Sequence, residues 1–147
     1  EGMKTAADLT RGHALYRKHC ITCHRVGTEG AFVGPDLAAM RTRERDALLV
    51  DILDPSRAVA PELLNYALLM RDGKAYAGLL VGETPSSVTL KAAEAKTQTV
   101  LRKDIAELRS TGLSLMPEGL EREMKPDELR DLIAWVRGGS TGTGAGR

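Results

Sequence analysis

Aromatic side chains are scarce in this chain: one Trp, one Phe and three Tyr among 147 residues. A domain of that size usually leans on such rings to fill its core, so some other bulky apolar group is expected to supply the missing volume. Long apolar runs are missing too. None approaches the roughly 18 to 20 residues that a bilayer-spanning helix needs, which excludes a membrane span of that kind. Charge of one sign is also lacking. The 21 Lys and Arg nearly balance 20 Asp and Glu, for a net charge of +1. With no dominant basic patch, nucleic acid is a poor partner. The first ten residues are polar and lack the apolar stretch of an export signal. What is present is ordinary for a soluble globular protein, with 42% hydrophobic and 28% charged residues. The length fits one domain, or one small domain with a folded insertion. No internal repeat is visible.

The periodicity changes along the chain. Residues 9–20 read as a helix, with Gly12 and Tyr16 one turn apart on the same face. The glycines and Pro35 over residues 24–37 indicate an irregular loop. Residues 42–53 return to helical spacing through Ala47, Leu48, Ile52 and Leu53. Asp54-Pro55 stops that helix, because the residue before proline is driven out of the α region. After Pro61 the period becomes two. Ala75, Ala77, Leu79 and Val81 alternate with Tyr76, Gly78, Leu80 and Gly82, and Val88, Leu90 and Ala92 with Thr89 and Lys91. Asp72-Gly73 predicts a two-residue hairpin between strands at 63–71 and 74–81. Further strands at 87–92, 97–101 and 105–110 complete a small antiparallel barrel or sheet. The last helix starts at Pro126, carries Asp127 and Glu128 in its first turn and ends before Gly138, with a stripe of Leu129, Leu132, Ile133 and Val136. Lys125 departs from the Ser, Thr or Asp expected as a cap there, so other contacts must hold that helix start. The Gly/Ser/Thr-rich residues 138–147 read as a flexible tail.

Chemistry concentrates in Cys20-Ile21-Thr22-Cys23-His24. In Cys-x-x-Cys-His, two thiols add across the vinyl groups of a haem and the following imidazole faces its iron. A buried porphyrin would also supply the volume that the aromatics do not. A redox dithiol is the first rival, but the βαβ context it needs is missing. A structural zinc site is the second, yet His13 and His19, the other histidines, both lie upstream in one helix.

Around this motif the chain resembles a class I cytochrome c, and most closely the haem-binding domain of Pirellula/Verrucomicrobium type. The matching stretches are Gly12-x-x-Leu15-Tyr16, the CITCH motif, Gly34-Pro35-Asp36-Leu37, residues 49–56 (LVDILDPS), residues 114–120 (SLMPEGL) and residues 127–136 (DELRDLIAWV). The resemblance implies a mainly α cytochrome c fold, formed by residues 1–59 and 112–139. Residues 60–111 would be an inserted small antiparallel β module, making the whole α+β, and residues 140–147 a tail. It implies one covalent haem c with its iron, bound by Cys20, Cys23 and His24. It further implies that the Pro35 carbonyl accepts from His24, and that Gly12 and Tyr16 meet Trp135 where the first and last helices cross.

For the sixth iron ligand five methionines compete. Met3 is terminal, Met70 falls in a predicted strand, and Met40 is expected to pack beside the ring. Met116 stands in an irregular loop, before a proline and just ahead of the last helix, where the resembled family places its distal methionine. Met124 is the reserve. His13 and His19 read as surface residues. Arg25, Arg41, Arg43 and Arg57 are candidates to pair with haem propionates, or are simply solvated.

A His/Met haem has no open coordination site, so the resemblance implies electron transfer rather than catalysis. Single electrons would pass from a periplasmic dehydrogenase toward an acceptor. Haem attachment outside the cytoplasm then makes this a processed chain or an excised domain. Two alternatives remain: a gas sensor or small haem enzyme with an open or displaceable sixth position, and a module that docks a partner through its β insertion. The inserted strands loosely resemble SH3-like or Sm-like barrels, without the aromatic-basic pattern of RNA binding.

Overall fold

The computed structural model describes residues 6–138. Among these, three α-helices and a five-stranded antiparallel sheet give an α+β architecture. No helix among the described residues is long and apolar enough to cross a membrane. Met3 and the tail at 140–147 lie outside the described residues.

Helix α1 (Leu9–His19) begins where the Asp8 carboxylate accepts from the Arg11 amide at 3.0 Å. Arg17, Lys18 and His19 complement the dipole at its other end. Helix α2 (Arg45–Leu53) starts three residues later than its periodicity suggested. Asp36 caps a 3-10 turn over Leu37–Met40, the Arg43 amide closes onto the Met40 carbonyl at 3.0 Å, and the chain enters α2 only at Glu44. Helix α3 (Pro126–Gly138) has an answer to its missing cap: Glu128 reaches back to accept from the Lys125 amide at 2.7 Å. That is one half of a capping box, sufficient to satisfy the first orphan donor. Its buried face is Leu129, Asp131, Leu132, Ile133 and Trp135, while Val136 is only half-buried.

Helices α1 and α3 cross at Gly12. A Cβ placed there would lie 2.3 Å from the Asp131 carbonyl oxygen and 2.7 Å from Trp135 Cβ, so any side chain would force the helices apart. The Tyr16 and Trp135 rings stack across the crossing with centroids 4.7 Å apart. Leu15, Tyr16, Leu48, Leu129, Leu132, Ile133 and Trp135 form one hydrophobic core.

The strands are β1 (Leu64–Met70), β2 (Ala75–Glu83), β3 (Ser87–Lys91), β4 (Thr97–Leu101) and β5 (Ile105–Ser114), in the order β4-β3-β2-β1-β5. They make an open sheet with β4 and β5 at its edges. Leu68, Val88, Leu90 and Val100 form a second core, separate from the helical one. Two expectations need correction. The β1–β2 hairpin has a three-residue loop: Leu69 pairs with Ala75, the Met70 amide donates to the Lys74 carbonyl, and the Gly73 amide donates to the Met70 carbonyl. Gly73, at φ +89°, takes the left-handed position that such a loop requires. Strand β5 runs four residues past Ser110, because a register shift near Leu64 lets Ser114 pair with Leu64 while Thr111 Oγ1 donates to the Asn65 carbonyl.

Candidate functional site

The end of α1 delivers the Cys-x-x-Cys-His segment. The Cys20 amide still donates to the Tyr16 carbonyl at 2.9 Å, and the Cys20 carbonyl then accepts from Cys23 and His24 at 3.1 and 2.9 Å. One tight turn thus gathers both thiols and the imidazole. The chain returns beneath it, where the Val33 and Gly34 amides donate to the Cys23 carbonyl at 3.1 and 2.7 Å.

His24 Nδ1 lies 2.8 Å from the Pro35 carbonyl oxygen. A carbonyl has no proton to give, so Nδ1 must carry one, which leaves the Nε2 lone pair for a metal. Burial lowers the affinity of His24 for a second proton, partly opposed by the Pro35 acceptor. Gly34 makes room for this ring: a Cβ there would stand 2.6 Å from His24 Cε1. Tyr16 steadies the segment from below, its hydroxyl donating to the His24 carbonyl at 2.8 Å and lying 3.2 Å from that of Glu29. Before any haem is attached, burial, reinforced by the neighbouring Cys23, pushes the Cys20 thiol up to about 11. Thiol Cys20 is therefore held protonated at neutral pH, a poor nucleophile on its own.

The methionines divide clearly. Met40 and Met124 pack against the helical core and Met70 against the sheet core. Met116 joins neither cluster. It is half-buried in the loop after β5, its amide donating to Ser114 Oγ at 3.1 Å. Among the arginines, Arg43 is committed to Asp51 through two contacts of 2.6 and 2.9 Å, and Arg25 lies over the Phe32 ring at 4.6 Å.

The histidines of α1 are less exposed than expected. His13 stacks on Trp135 at 4.9 Å and shares Glu29 with Arg17, its Nε2 lying 2.7 Å from the carboxylate. His19 is half-buried, with Nε2 shut off from solvent and unpaired among the described residues. Glu29, tied to α1 by side chain and backbone alike, was not visible as a site residue in the sequence. Its partners lie 12 to 16 residues away across a loop without periodicity.

Two thiols in one turn, an imidazole in the metal-binding tautomer and a glycine cradle for its ring fit a haem c. No group of three or more His, Cys, Asp and Glu among the described residues could hold a free metal ion instead. Residues 9–63 match the family model described as Cytochrome c. The match covers α1, the cysteine-histidine turn and α2, and ends one residue before β1. It supports a cytochrome c family, and the cofactor that follows is covalently bound haem c with its iron. Among curated proteins none matches the chain.

Proposed function

We propose that this chain is a one-electron carrier of the periplasm, of the Pirellula/Verrucomicrobium haem-binding type. Residues 1–59 and 112–139 would make its haem domain, with residues 60–111 inserted as a β module. Cys20 and Cys23 would hold the haem, His24 and Met116 would ligate its iron, and the partners would be a dehydrogenase and an electron acceptor. When bound, the haem supplies reversible one-electron chemistry.

The protein's own groups provide the setting. Pro35 fixes the His24 tautomer and makes Nε2 a stronger donor. Gly34 and Tyr16 hold the ring and the chain beside it. Met116 offers a thioether, a ligand that favours the ferrous state and raises the potential. The observation that carries the reading is the 2.8 Å contact between His24 Nδ1 and the Pro35 carbonyl, since it orients one imidazole nitrogen for a metal in a turn that also presents two thiols.

Acid denaturation followed by extraction into organic solvent tests it. Haem should stay with the polypeptide, and its alkaline pyridine spectrum should be that of a haem with both vinyl groups saturated. Haem released into the solvent would end the proposal.

A further inference from the structure

The connection between two strands of the sheet reaches the haem-attachment turn. The Glu94 amide, in the connection between β3 and β4, donates to the Thr22 carbonyl at 2.6 Å. Thr22 stands between the two cysteines. Lys91 and Thr97 are paired directly, and beyond them the Ala92 amide donates to the Lys96 carbonyl at 2.8 Å and the Lys96 amide to the Ala93 carbonyl at 3.3 Å. The connection is therefore the three residues 93–95, with Glu94 and Ala95 both left-handed at φ 60° and 56°, where a two-residue hairpin turn would also close the sheet. Neither is glycine, the residue that a turn with two left-handed positions favours. The strained geometry and the contact coincide: Glu94 is both the left-handed residue and the donor.

We infer that the turn Ala93–Ala95 is a clasp by which the β module positions the haem-attachment segment. It fixes the Thr22 carbonyl and so restrains the residues on either side, Cys20 to His24, before and after haem is attached. The role rests on the haem reading above, but the clasp is measurable without haem. Attachment itself needs only the cysteines and His24, so it does not depend on the clasp.

The test replaces residues 92–96 by Asn-Gly, which preserves the Lys91–Thr97 pair. In the apoprotein, alkylation of Cys20 and Cys23 by iodoacetamide should quicken about fivefold, the factor set by losing one ordinary hydrogen bond. In the holoprotein the reduction potential should fall, because a looser segment admits water to the haem. Glu94→Gly keeps the amide and relieves the strain, so it should behave as the parent in both measurements. Amide exchange on the unaltered holoprotein provides a check that needs no variant: the Glu94 amide should be protected. Rapid exchange there, or parental alkylation and potential in the Asn-Gly variant, overturns the clasp. Haem released by extraction from the parent would instead remove the haem reading and leave the apoprotein result standing.

Discussion

Gly12 and Tyr16 show how single residues set the site. Gly12 has no room for a side chain against the Asp131 carbonyl. Alanine would normally help a helix by about 1 kcal/mol over glycine. Here the clash is with backbone and cannot be relieved by a rotamer, so Gly12→Ala should destabilise the fold by about 1–3 kcal/mol, measured by urea unfolding. An unchanged or higher stability would mean that the helices do not cross as closely as described. Gly12, Tyr16 and Trp135 were legible as a group because the resemblance supplied their partners. The Tyr16 hydroxyl was not. It anchors the carbonyls of His24 and Glu29, groups that every residue possesses and that no sequence pattern marks.

At the scale of elements, α3 carries the least foreseeable feature. Asp131 is fully buried on the face where the apolar stripe was expected. Burial alone would raise its carboxyl, but hydrogen bonds from Arg130 and Arg11 outweigh that and hold it below the usual carboxylate range. Arg11 donates at 2.6 Å and Arg130 at 2.8 and 3.0 Å. A depressed carboxylate stabilises the fold above its unfolded pKa, near 4, and that contribution is lost as pH falls through the lower folded value. Asp131→Asn should therefore cost about 2 kcal/mol at pH 7, and its difference from the parent should shrink below about pH 4. A difference that stays constant down to pH 3 would contradict the ion-pair account. The periodic signals placed every helix and strand, because burial on one face is a local pattern. Boundaries failed where a distant partner decided them. Strand β5 continues past Ser110 only because Leu64 and Asn65 lie alongside, and α2 begins late because Asp36 first caps a separate turn.

Across the whole molecule, the helical core and the sheet core share no buried residue. The sheet also begins and ends at one spot. Leu64 pairs with Ser114, so the chain leaves and re-enters at points about 5 Å apart. Replacing residues 60–111 with a short Gly/Ser loop should leave covalent haem attachment intact, read by haem staining of the denatured polypeptide. Complete loss of holoprotein would argue for a single inseparable core. The helical part was legible through its motif, and the family match confines itself to residues 9–63. The sheet was legible as strands but not as a clasp, since the contact of Glu94 with Thr22 joins two backbones.

Absorption spectroscopy with carbon monoxide tests whether His24 and Met116 together close the proposed haem iron. The ferric protein should show the weak long-wavelength band of sulfur bound to iron, and the ferrous protein should take up carbon monoxide slowly or not at all. Met116→Ala should abolish the band, admit carbon monoxide and lower the potential, because a ligand that favours ferrous iron has gone. Met124→Ala, at a residue packed against the helical core, should do none of these. Immediate carbon monoxide uptake by the unaltered ferrous protein, with no such band in the ferric form, would contradict the account and make the iron an open site.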